Sequence, residues 1–233
     1  MLSLAFTLQE TVPDMDATGK RIEEVEHYLA NVKCDLVLIG SATSASDLRS
    51  AWEKFLASYA RTIGRLIQFG HDDHRSRGWS HKLKNASSLD DPGLTFLREA
   101  RNTVEHGLEA FATFCDPAIS IGGFGFNGAG NLSMTFQGNF VNGRPMGDFH
   151  IETRAGRVVS LEGRPLVPVL EVPTSIQLKE VRNIKKKIVV PVPASLMGTS
   201  IEVGKPVDLA QKATEFASGC LQELKALWDS KSV

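Results

Sequence analysis

The sequence predicts an α+β protein: a helical N-terminal portion, an antiparallel β-rich portion, and a last helix that packs back on the first ones. Three observations carry this. Apolar residues recur at helical spacing up to about residue 116, alternate with period two after Pro117, and return to helical spacing from Pro206 to Trp228. The change of period divides the chain into a helical portion, 1–116, and a β-rich portion with its closing helix, 117–233.

Taken in order, Ile22, Val25, Leu29 and Val32 predict a first helix over Asp16 to Lys33. The stretch "SASD", Ser44 to Asp47, sets an Asp three residues after a Ser cap. Trp52, Phe55, Leu56, Tyr59, Ile63 and Leu66 then mark a long second helix, with Gly70 as its stop. "HDDHRSRGWSHKLKNASS" has no period and reads as a loop. "DDPG" then supplies an Asp cap and a Pro in the first turn of a third helix running to about Phe114.

Beyond Pro117, "ISIGGFGF", "LSMTFQGNF" and "DFHIET" alternate between Gly-rich and Asn-Gly turns, the signature of hairpins. "RVVSLE" and "KKIVVPV" extend the sheet, and the prolines of "RPLVPVLEVP" predict edges or extended connections. Leu209, Ala213, Phe216, Ala217, Cys220, Leu221, Leu224 and Trp228 form the stripe of the closing helix.

At 233 residues and 42% apolar content the chain can bury a sizeable core. Its net charge of −1 gives no global attraction to nucleic acid, so any such contact rests on local patches. Three scattered cysteines, Cys34, Cys115 and Cys220, fit a reducing compartment better than a disulfide framework. "MLSLAFTLQE" is too short to span a membrane and lacks a basic leader, so the expectation is a soluble cytoplasmic protein without membrane attachment.

Gly123, Gly125 and Gly128 satisfy a G-x-G-x-x-G string, but a strand follows where a dinucleotide fold needs a helix N-terminus, so the glycines read as turn chemistry. His71, Asp72, Asp73, His74 and His81 form a polar loop rather than a metal set, and no metal or other cofactor is expected. Between Asn142 and Lys187, nine Lys or Arg stand against five Asp or Glu, a mild basic patch that reads as a solvated sheet face.

The third helix is the informative one. On a helical wheel Leu97, Ala100, Val104, Leu108 and Phe111 form a core stripe, and Arg101 borders it. Asn102 and His106, four apart, stack on the opposite face, with Arg98 one turn earlier and Glu105 beside them. A solvated face, with Arg101 paired to Glu105, accounts for such a short pattern without any chemistry. The stretch "LREARNTVEHGL" nevertheless resembles the signature of the HEPN superfamily (higher eukaryotes and prokaryotes nucleotide-binding). That signature is an Arg, four to six residues, then a His, usually with a polar residue directly after the Arg. Arg101, Asn102 and His106 match its three positions, and the preceding "SRGWSHKLK" and "DDPGLTFLREARN" look similar to a group of bacterial HEPN-like proteins. The resemblance covers about residues 16–115 and, more loosely, the later strands and last helix.

The resemblance implies a HEPN-like helical domain and a metal-independent endoribonuclease acting as a homodimer in defence or toxin–antitoxin settings, where an antitoxin or other protein is a further partner. His106, with a reference pKa of about 6.5, would exchange protons near neutrality. Arg101 would hold the phosphate and its developing charge, and Asn102 would orient one of them. One His serves poorly as both acid and base, so a two-fold dimer would supply the second copy. Arg75, Arg77, Lys82 and Lys84, with Trp79 as a stacking platform, would form an RNA-contact arm, although Trp79 fits a core anchor somewhat better. The competing class is a non-catalytic HEPN-like binding or scaffold module in which the trio is structural.

Overall fold

The structure, a computed structural model, describes residues 15–106, 111–127, 130–183, 187–202 and 205–229. The N-terminal "MLSLAFTLQE", Leu108, Gly128 and most of the Lys185–Lys187 run lie outside the described residues.

The expected α+β order holds. Helix α1 (Met15–Ser41) and helix α2 (Ala45–Asp72) form a helical hairpin across a three-residue link. Helix α1 extends past Lys33 because Leu36 and Ile39 continue its packed face, while Val37 and Leu38 point outward at 69% and 47% exposure. The Ser44 cap forms as the sequence indicates: its Oγ accepts from the Asp47 amide at 3.1 Å and donates to the Asp47 carboxylate at 2.7 Å.

Helix α2 does not stop at Gly70. That glycine lies inside it because the Trp79 ring packs there, and a Cβ would come within 2.9 Å of the indole. The segment expected to be a loop contains a third helix, α3 (Arg77–Asn85), which runs into a π-turn at Ala86–Asp90. Helix α4 (Pro92–His106) carries the candidate motif. The expected continuation of that helix to Phe114 is replaced by strand β1 (Ala112–Cys115), whose partner lies more than sixty residues away.

Strands β2 (Ala118–Ile121) and β3 (Phe124–Asn127) make the first hairpin, followed by β4 (Leu132–Phe136), β5 (Phe140–Val141) and β6 (Arg144–Pro145). Then come β7 (Phe149–Arg154), β8 (Arg157–Gly163), β9 (Val169–Val172) and β10 (Ser175–Leu178). Strands β11 (Val181–Asn183), β12 (Ile188–Val190), β13 (Ser195–Leu196) and β14 (Thr199–Ser200) precede helix α5 (Pro206–Asp229). Every pairing is antiparallel, in small separate sheets: β3-β2-β9, β4-β7-β8, and the pairs β1-β10, β5-β6, β11-β12 and β13-β14. The proline-flanked β9 is an edge strand, as its composition requires. At the Asn142-Gly143 turn both residues have positive φ, 48° and 75°, the geometry that matches the twist of a two-residue hairpin.

Two apolar cores result. The larger is built by α1, α2, α4 and α5, with Trp52, Phe55, Leu66, Phe96, Leu97 and Leu224 almost fully buried, and it also takes in Phe111, Ile176, Val181, Val190, Leu196 and Ile201. The smaller consists of Ile119, Ile121, Met146, Phe149 and Ile151. The packing therefore does not follow a single cut at residue 116: 118–172 supplies the second core, and the chain beyond it rejoins the first. Leu221, Leu224 and Trp228 of α5 are buried at 5%, 1% and 3% exposure, so the last helix does pack back on the helical portion. Among the described residues no helix is long and apolar enough to cross a membrane.

Candidate functional site on helix α4

Helix α4 is fixed firmly at its start. Asp91 caps it, accepting from the Leu94 amide at 2.8 Å, and its second oxygen accepts from the Met197 amide at 2.6 Å in the β13–β14 turn. The first turn presses onto that hairpin so closely that a Cβ on Gly93 would lie 2.7 Å from the Ser195 carbonyl oxygen. Leu94, Phe96, Leu97, Ala100 and Thr103 face inward, and Val104 packs at the edge of the core.

The same inward stripe carries a carboxylate. Glu99 is 1% exposed, a burial that requires partners. Arg98 supplies them, with Nε at 3.1 Å and a terminal nitrogen at 2.9 Å from Oε1, while the Asn102 amide nitrogen donates to Oε2 at 3.3 Å. The wheel spacing of Phe96, Glu99, Ala100 and Thr103 was the available signal for Glu99, which the reading of the motif passed over.

Around it lie the three motif residues. Arg101 forms an ion pair with Glu105 one turn on, and a terminal nitrogen stands 3.5 Å from the Asn102 side-chain oxygen. Its Nε is buried without a hydrogen-bond partner. His106 is exposed in the last described turn of α4. Arg101 and Asn102 are thus in contact, and His106 stands four residues beyond Asn102 on the same helix. Arg98 pairs with Glu99 and Arg101 with Glu105, so each of these two cations is matched by a carboxylate of the same helix.

The residues expected to form an RNA-contact arm separate into two groups. Arg75 is turned inward: it clamps Asp73 with contacts of 2.6–3.1 Å and donates to the Trp228 carbonyl at 2.8 Å, with side chains only 13% and 8% exposed. Hydrogen bonding from Arg75 holds the Asp73 carboxyl below the usual carboxylate range. Trp79 is half-buried against Gly70 and donates from Nε1 to Glu223 at 2.8 Å, the geometry of an anchor between α3 and α5. Arg77 and Lys82 are exposed, and Arg77 Nε donates to the His71 carbonyl at 3.2 Å. Of the histidines nearby, His71 and His81 meet edge to face at 5.6 Å, and the described residues contain no group of three His, Cys, Asp or Glu able to hold a metal ion.

Comparison with known protein families, curated proteins and solved structures finds no match to this chain.

Proposed function

We propose that α4 carries the reactive face of a metal-independent endoribonuclease that works as a homodimer. The observation that carries this reading is the arrangement of the motif: Asn102 is held by the buried Glu99 and touches Arg101, while the imidazole of His106, one turn on, is exposed to an incoming substrate. In the reaction the 2′-oxygen attacks phosphorus and the bond to the 5′-oxygen breaks, leaving a 2′,3′-cyclic phosphate. One copy of His106 takes the 2′-hydroxyl proton and the other protonates the leaving oxygen, while Arg101 exchanges Glu105 for the phosphate and Asn102 holds the bridging geometry. Phosphate contact also draws on the exposed Arg77 and Lys82.

A second reading, a non-catalytic binding or scaffold module, is favoured by the Arg101–Glu105 ion pair, which already satisfies the cation. Purified protein incubated with single-stranded RNA and a chelator separates the two. The nuclease reading expects cleavage of RNA and not DNA, cyclic phosphate ends, and rates lowered by roughly 10² or more in folded His106→Ala and Arg101→Ala proteins. Unchanged cleavage by His106→Ala overturns it. Absence of cleavage together with a monomer in sedimentation supports the module.

A further inference from the structure

A cavity of about 180 Å³ lies between α2 and α4, and neither Arg101 nor His106 lines it. Its walls are apolar: Ile63 and Ile67 from α2 face Leu94 and Leu97 from α4. The volume is comparable with apolar cavities of roughly 150 Å³ that take up a benzene ring.

One charged side chain meets this apolar space. Tyr59 forms part of the lining at 5% exposure, while its hydroxyl is sealed in the core and does not open onto the cavity. Arg98 also lines the cavity, with its side chain 31% exposed. Nε donates to Glu99 and one terminal nitrogen to the Ser87 carbonyl at 3.0 Å, while the other terminal nitrogen stands in an ion pair with Glu99, so each terminal nitrogen keeps at least one N–H outside these hydrogen bonds. The remaining pair suits a planar acceptor, and because Glu99 already balances part of the charge, a monoanion is favoured over a dianion.

Gly64 lies at the rim of the cavity. A glycine inside a helix is unfavourable relative to alanine, yet no neighbour demands one: a Cβ there meets nothing within 4 Å. Exposed and part of the lining, it is a position from which a longer side chain can be laid across the mouth of the cavity.

We propose that this cavity binds a small amphiphilic monocarboxylate, its hydrocarbon body of about six to eight carbons between α2 and α4 and its carboxylate on the free edge of Arg98. The proposal does not rest on the nuclease reading, although Arg98 adjoins the motif through Glu99, which holds Asn102.

Calorimetric titration of the intact chain with butanoate, hexanoate, octanoate and 1-hexanol tests it. Affinity should rise about threefold to fourfold per added CH₂, and hexanoate should bind about tenfold tighter than 1-hexanol. Arg98→Lys keeps the charge beside Glu99 but loses the fork, so it should erase most of the preference for acid over alcohol. Gly64→Leu should abolish hexanoate binding while the protein remains folded by circular dichroism. No binding by the wild type, or equal binding by folded Gly64→Leu, overturns the proposal, as does an acid preference unchanged in Arg98→Lys.

Discussion

The two cores solve the same problem with different means. The helical one draws residues from nearly every part of the chain and seals them: Val25, Trp52, Phe55, Leu66, Phe96 and Ala210 have essentially no exposure. The β core has five buried residues, and around it Phe124, Phe140, Leu166 and Leu170 remain 55–67% exposed. A helix needs only one stripe covered, and four helices cover one another's stripes. Two- and three-stranded sheets present two faces and free edges, and this portion of chain is too small to cover both. The β unit therefore depends on its neighbour for stability more than the helical core depends on it.

The largest effects should break that asymmetry open. Leu224→Ala, removing a fully buried contact of α5, should cost about 2–5 kcal/mol and lower the melting temperature of the whole chain. Ile151→Ala removes a similar volume and costs a similar amount locally. Its loss of amide-exchange protection should nevertheless be confined to residues 118–172, with the helical signal melting near the wild-type temperature. If both variants shift every amide alike, the two cores are one cooperative unit.

A smaller effect concerns the Asp73–Arg75 clamp, which fixes the corner between α2 and α3 to the end of α5. Because the Asp73 carboxyl is held below its usual range, its stabilisation is complete above the unfolded value of about 3.9 and is lost as pH falls through the lower folded value. Asp73→Asn should remove about 1–3 kcal/mol at neutral pH and flatten the acid limb of the stability profile. Equal acid sensitivity in wild type and variant would place the titrating group elsewhere.

The smallest effect is chemical rather than energetic. Burial pushes the Cys220 thiol up to about 12, so it contributes stability below the unfolded value of about 8.5 that is lost as pH rises toward 12. In native protein at pH 8, iodoacetamide should label the exposed Cys34 and leave Cys220 unmodified, as mass spectrometry of peptides would read directly. Labelling of both at one rate would mean that α5 opens readily from the helical core.

How much of this was legible in the sequence depends on what buries each element. Helices α1, α2 and α5 announced themselves because their inward faces are Val, Leu, Ile and aromatic residues. Helix α3 did not, because its inward positions are Ser80 and Leu83, with Ser76 just before them. The serines bury by hydrogen bonding: Ser76 Oγ donates to the Gly70 carbonyl and accepts from Trp228 Nε1, and Ser80 Oγ donates to the Ile67 carbonyl. A hydrophobic period cannot register them. Strand β1 was hidden for another reason: Phe111 and Phe114 fit a helical stripe, and the partner that makes Ala112–Cys115 extended is 175–178. In the candidate site, the exposure of His106 and the Arg101–Glu105 pair followed from spacing alone, whereas Asn102, expected to face outward, is half-buried and turned to the Glu99 carboxylate. That Arg75 belongs to the core did not, since its partners include a carbonyl at the far end of the chain.

The pairing of β1 with β10 has a consequence for the history of the molecule. Cys115 and Ser175 are direct neighbours across that ladder, so the chain leaves the helical frame and re-enters it at one doorway. Everything between 118 and 172 is an excursion whose two ends already stand side by side. Such a segment can be lengthened, exchanged or trimmed to a short turn across the doorway without asking the frame to move. The boundary between the two units is thus a pair of adjacent crossings, and inheritance can treat what lies beyond them as a replaceable insert.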